Sequence, residues 1–238
     1  MNEATFWSSL SRSNSKLNRS DISILPNKSF FYPKYHRKYF DIHRLPKQSL
    51  LKLAGRNVTD QILPCLARAH GPGAIFPLAC ARQRLFSLVY HHEGGARHWY
   101  IIPARERDNL EKIFERKKSS ICLEHKELLI DPSVLDKHHI QHHRIIQYSN
   151  EFVVCAAGAL AQSFSESASW SESIVFALPS WIEDGHATAQ NSTCQCNIKV
   201  SSLPHTIDAS LFRIELIQKY ISTHLNIVNY GKTSDIEG

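Results

Sequence analysis

Between residues 85 and 178 the chain is a succession of short apolar runs separated by turn residues. Residues 85–90 read Leu-Phe-Ser-Leu-Val-Tyr and residues 98–103 read His-Trp-Tyr-Ile-Ile-Pro, with Gly94 and Gly95 between them. Residues 145–148 (Ile-Ile-Gln-Tyr), 151–155 (Glu-Phe-Val-Val-Cys) and 173–178 (Ser-Ile-Val-Phe-Ala-Leu) repeat the pattern, the last stopped by Pro179. Short runs rich in β-branched and aromatic residues, closed by Gly or Pro, are strand signals. Strands that follow one another without intervening helices build a closed or double-sheet β fold, not alternating β/α units.

Helices are expected at the periphery. Pro46 opens a short one over residues 47–54, with Gly55 as its C-cap. Residues 105–118 are helical, because Leu110, Ile113 and Phe114 share one face. The apolar 128–130 run precedes a turn at Asp131 and Pro132. A final helix follows Asp208 as N-cap, with Leu211, Phe212, Glu215, Leu216 and Tyr220 along it.

The 238 residues suit one large domain, or one domain with a small appendage. At 42% hydrophobic and 21% charged, the chain is not disordered as a whole. Residues 1–28, rich in Ser, Asn and Lys, read as a flexible N-terminal lead. Residues 29–186 read as the main domain, and 187–238 as a C-terminal segment with a helix. No apolar run suffices to cross a bilayer. The opening Met1, Asn2, Glu3 and Ala4 do not resemble a secretory signal, so secretion is not expected. On that reading the sequons at Asn27, Asn57 and Asn191 are chance matches.

A net charge of +6 favours an anionic partner weakly. The basic residues gather at Lys34, Arg37, Lys38, Arg44 and Lys47, and again at Arg105, Arg107, Lys112, Arg116, Lys117 and Lys118. These stretches read as solvated surface or as a weak nucleic-acid contact. The six cysteines are Cys65, Cys80, Cys122, Cys155, Cys194 and Cys196. Without secretion, reduced thiols or a metal site suit them better than disulfides. Of 14 histidines, His138, His139, His142 and His143 cluster in a polar stretch at no recognised ligand spacing and read as surface.

Five motifs then occur in order. Residues 90–103, Tyr-His-His-Glu-Gly-Gly-Ala-Arg-His-Trp-Tyr-Ile-Ile-Pro, resemble the JmjC segment N-Y-x-H-x-G-x-x-K-x-W-Y-x-I-P. Residues 125–132, His-Lys-Glu-Leu-Leu-Ile-Asp-Pro, resemble its H-K-x-x-L-I-x-P. Residues 147–154 with Gly158 and Ala159 resemble its Q-x-x-G-E-F-V-V…G-A-Y-H. Residues 171–177 resemble A-E-S-x-N-F-A, and residues 181–185 resemble W-I-E-x-G. Together they cover about residues 40–200. The resemblance is to the JmjC family, closest to its zinc-bearing histone lysine demethylase branch. It implies a mainly β double-stranded β-helix, a cupin-like jelly roll with peripheral helices. It also implies Fe(II)/2-oxoglutarate oxygenation, which needs a His-x-Asp/Glu pair and a distant His.

Carried over residue by residue, the iron ligands fall on Ala79, Ala81 and Ala161. A methyl group coordinates no metal, so iron and 2-oxoglutarate are not expected. Val89 and Val175 stand where the family has Asn near the co-substrate. No aromatic residue stands near residues 64–67, where a methyl-lysine cage would need one. Arg97 falls on the lysine that pairs with the co-substrate carboxylate, and keeps its charge in a longer, forked side chain. One alternative keeps an iron site: His91 and Glu93 form a His-x-Glu that would share a strand face.

The resemblance also implies a structural zinc. His125 and the Cys194/Cys196 pair fall on matching ligand positions, and Cys122 supplies the fourth ligand, displaced from the family position. Three thiolates and one imidazole make a closed tetrahedral site, which would pin the C-terminal segment to the core.

The reading that follows is a degenerate JmjC domain acting as a chromatin-associated or regulatory binding module. Its expected partner is a protein, such as a histone or a chromatin complex. By family resemblance it is nuclear. The alternative is an active oxygenase with displaced ligands.

Overall fold

The computed structural model describes residues 2–12, 21–31, 41–116, 128–189 and 206–224. Nine strands occur among them: β1 (Ile22–Pro26), β2 (Cys65–Ala69), β3 (Ile75–Cys80), β4 (Phe86–Gly94), β5 (Arg97–Ile102), β6 (His143–Gln147), β7 (Phe152–Cys155), β8 (Leu160–Ser165) and β9 (Ser169–Phe176). They form two antiparallel sheets, ordered β1-β2-β9-β4-β7 and β3-β8-β5-β6. This is the double-sheet β fold expected from the strand pattern, in the jelly-roll form that the resemblance implies. The helices are α1 (Glu3–Arg12), α2 (Leu45–Gln48), α3 (Arg56–Thr59), α4 (Arg107–Arg116), α5 (Pro132–Lys137), α6 (Ser180–Glu183) and α7 (Ile214–His224).

Strand alternation divides the side chains into three layers. Val89, Trp99, Ile101, Val153, Cys155 and Ala159 come from both sheets and meet between them. Leu88, Ile174 and Phe176 point the other way, onto Leu50, Leu51, Trp181, Ile217 and Tyr220. The outer face of the four-stranded sheet meets Leu110, Ile113 and Phe114 of α4 and Leu135 of α5, and further along Phe6 of α1 against Phe164 and Tyr100. The predicted face of α4 is thus its buried face.

Several expectations change. Residues 1–28 contain more than a flexible lead. The helix α1 is anchored by Phe6 stacked on Phe164 at 3.9 Å and by Trp7 Nε1 donating to Tyr100 Oη at 2.8 Å. In addition, β1 pairs along the whole of β2. The polar composition masked these anchors, which work only against distant strands.

The 47–54 helix is broken at Ser49, whose extended backbone ends α2. Its hydroxyl then caps a 3₁₀ turn at Leu50–Ala54, and Gly55 (φ 83°) closes that turn. Asp131 and Pro132 start a helix instead of a simple turn, because the Asp131 carboxylate accepts from Ser133 N at N-cap. Asp208 caps only a 3₁₀ turn, Ala209–Leu211, and α7 starts later. Phe212 and Tyr220 of that region are buried, but Leu211 and Leu216 are exposed. The apolar 128–130 run is no strand, although the Leu128 carbonyl accepts from Leu78 N at 2.7 Å.

Candidate functional site

The site is built on β3, β8, β5 and β4, which bring the predicted positions together across the barrel. In the pairing of β3 with β8, Ala79 lies directly opposite Ala161. A register shift between Phe76 and Ala79 precedes this pair. Ala81 follows at the end of the strand, in extended backbone, and starts the turn at Arg82–Arg84. The three positions therefore sit at one end of one strand pair, as a facial triad requires. Their side chains are methyl groups, so the residues present do not fit an iron ion.

Arg97 starts β5 and points between the sheets. Its guanidinium is sandwiched by the Phe76 ring at 3.6 Å and the Trp99 ring at 4.1 Å. Nε donates to Ser163 Oγ at 2.8 Å, and Nη1 donates to Ser171 Oγ at 3.1 Å. The residue is 5% exposed. Burial lowers its pKa to about 9, with Cys155 nearby opposing the shift. The Cys155 thiol is itself pushed up by burial, against a hydrogen bond with Ser87 and the charge of Arg97. Phe76, Ser163 and Ser171 were not legible as partners of Arg97. Their only sequence signal is strand alternation, which places them on inner positions once the pairing is known.

His91 is also inside the barrel, opposite Ser171, and is fully buried with neither ring nitrogen hydrogen-bonded. Burial lowers its pKa first, and the Arg97 charge lowers it further. The Gly94 and Gly95 carbonyls oppose this. Glu93 does not join it. The pairing of β4 with β9 shifts register between His91 and Glu93, and Glu93 is exposed. The bulge breaks the alternation on which a shared face depends, so the structure does not bring this His-x-Glu together. His92 faces the opposite side, where Nε2 meets the buried Glu172 carboxylate at 3.0 Å.

Toward β2 and β9 the inner positions are small: Cys65, Ala67 and Ala69 pair with Ser173, Ser171 and Ser169. Val89 is buried between the sheets, and Val175 packs at the margin of the core beside Phe176. The proposed zinc ligands Cys122, His125, Cys194 and Cys196 all lie outside the described residues, as do Lys34, Arg37, Lys38, Lys117 and Lys118. Among the described residues no group of three His, Cys, Asp or Glu is placed to hold a metal. His138, His139 and His143 are exposed, and His142 contacts the Ile140 carbonyl. Parts of the basic stretches are paired locally: Lys47 with Asp60 at 2.9 Å and Arg107 with Glu111 at 3.4 Å.

Among the described residues the two antiparallel sheets define a cupin-like jelly roll. Residues 70–176 match the family model described as JmjC domain, hydroxylase. These residues form a JmjC domain. It is 32% identical over 157 residues to the fission yeast (Schizosaccharomyces pombe) protein named multicopy suppressor of chk1 protein 1, which covers 61% of this chain and 10% of that protein. It is 33% identical over 118 residues to the human probable lysine-specific demethylase 4F, covering 47% of this chain and 18% of that protein. It is 32% identical over 126 residues to the chicken (Gallus gallus) protein Jumonji, covering 50% and 10%. The chain thus spans less than a fifth of the length of each of these relatives. No helix among the described residues is long and apolar enough to cross a membrane.

Proposed function

We propose that this JmjC domain is catalytically degenerate and works as a chromatin-associated or regulatory binding module in the nucleus. The observation that carries the reading is the facing pair Ala79 and Ala161, with Ala81 beside it. These positions keep the geometry of a ligand set and have lost its chemistry. Arg97 supports the same reading. Its guanidinium is engaged by two rings and two hydroxyls, so it fills space that a co-substrate carboxylate would otherwise enter.

The partner is a protein of the kind its demethylase-named relatives suggest, a histone tail or a chromatin complex. A structural zinc on Cys122, His125, Cys194 and Cys196 would hold the C-terminal segment.

Elemental analysis together with a 2-oxoglutarate turnover assay tests this. The expected result is about one zinc per chain, no bound iron and no succinate. Iron-dependent succinate production would overturn the degenerate reading, and a zinc-free folded protein would overturn the zinc assignment.

A further inference from the structure

Among the described residues β1 is the end strand of the five-stranded sheet. Its register with β2 continues at both ends, where His70 N donates to the Asp21 carbonyl at 2.9 Å and Asn27 N donates to the Pro64 carbonyl at 3.1 Å. Bonded and non-bonded positions alternate along an antiparallel pair. Residues 21, 23, 25 and 27 therefore turn their backbone groups toward β2, and Ile22, Ile24 and Pro26 turn theirs to the open edge. Pro26 fits this assignment, because an edge-facing position loses no ladder bond when the N–H is missing.

An open edge is a template for a further strand, and native sheets protect it with charge, proline, bulges or short length. The other end strands are protected in these ways. Strand β3 carries Pro77 and a register shift, β6 carries His143 and Arg144, and β7 is the shortest strand described. In β1, residues 22–25 read Ile-Ser-Ile-Leu, with no charge. Ile24 is 50% exposed and Leu25 37%, and Leu63, which precedes Pro64, is 49% exposed.

The strand is also its own complement. Set antiparallel to a second copy with Ile24 at the twofold axis, Ile24 faces the partner's Ile24, Ile22 faces the partner's Pro26, and Ser23 faces the partner's Leu25. The edge N–H groups of Ile22 and Ile24 then both meet carbonyls, and the one edge position without a donor is Pro26. The Asp21 end of each copy lies beside the Asn27 and Lys28 end of the other, so opposite charges meet. A strand of unrelated sequence would use the same backbone groups without the apolar pairing at Ile24 or the opposed charges. We propose that the β1 edge joins a second copy of this chain, so that the two five-stranded sheets continue across the axis. A twofold contact of this kind closes on itself and does not propagate. One short strand buries less than a standard interface, so the dimer is weak and reversible.

Sedimentation equilibrium of the full chain at concentrations up to about 0.5 mM tests this. The wild type is expected to show a reversible monomer–dimer equilibrium. Ile24→Lys and Ile24→Glu each place like charges opposite one another at the axis and should weaken self-association roughly tenfold or more. An equimolar mixture of the two variants should recover the dimer, because Lys then faces Glu. A wild type that stays monomeric overturns the proposal and leaves the edge to a strand of another protein. A dimer that neither variant weakens overturns it too, and a mixture that stays monomeric overturns the pairing at Ile24. Melting curves establish that each variant is folded. Should the variants not fold, amide hydrogen exchange of the wild type decides: protection at Ile22 and Ile24 should rise with protein concentration, and unchanged exchange overturns the edge contact.

Discussion

Ala79 stands directly opposite Ala161 in the antiparallel pairing of β3 with β8. Residues so placed have Cβ atoms about 5 Å apart on one face of the sheet, a spacing from which two imidazoles reach one metal. The triple variant Ala79→His, Ala81→Glu, Ala161→His is therefore expected to bind one Fe(II), or Co(II) as a spectroscopic substitute, and the wild type is expected to bind none. The single variant Ala161→His should bind neither. A folded triple variant without metal affinity would show that the scaffold, and not only the ligands, has been lost.

Arg97 is buried with hydroxyls and rings around its guanidinium, where a buried cation ordinarily has a carboxylate. Its charge costs desolvation while its stem contributes packing. Arg97→Met should be at least as stable as the wild type by thermal melting. Arg97→Ala should lose about 2–4 kcal/mol through the space left between Phe76 and Trp99. A strongly destabilised Arg97→Met would mean that the two serine hydrogen bonds outweigh the desolvation.

His91 gives a pH dependence whose sign follows from its lowered pKa. Because His91 is buried, and because it lies near Arg97 and His92, the folded state resists protonation more than the unfolded state does, with the Gly94 and Gly95 carbonyls opposing. Below the unfolded value of about 6.5 the unfolded chain binds the extra proton, so this contribution to stability is lost as the pH falls. Denaturant midpoints measured from pH 7.5 to 5.5 should drop more for the wild type than for His91→Leu. Parallel curves would remove His91 as the cause.

Gln83 ties the turn after β3 to residue 207 through both its amide atoms. Gln83→Ala removes two hydrogen bonds and should cost about 2 kcal/mol. Limited proteolysis should then cut the 206–224 segment faster than in the wild type. An unchanged cleavage rate would mean that Trp181, Phe212 and Tyr220 hold the segment without it.

The strand at residues 151–155 and those around Leu88, Trp99 and Ile174 were legible because apolar residues recur in short runs there. By contrast, β8 (Leu-Ala-Gln-Ser-Phe-Ser) reads as polar. Its Gln162 is nevertheless buried, with both amide atoms satisfied by the backbone of Ile130. Likewise, α1 lies in a Ser-rich stretch, and Phe6 has meaning only against Phe164. The alanines at 79, 81 and 161 were identifiable by motif spacing, but their opposition across β3 and β8 was not. The His91/Glu93 alternative rested on strand alternation, which one bulge breaks between them.

Local pattern by itself determined the β class and the helix face of Leu110, Ile113 and Phe114; the positions of the three alanines came from the family resemblance. The first two are properties of residue type and near-neighbour period. Tertiary structure alone decided that Arg97 is enclosed by Phe76, Trp99, Ser163 and Ser171, and that Gln83 ties the turn after β3 to Ile207. Those contacts join residues far apart in the chain. Their energies depend on burial and register, which no local window of sequence contains.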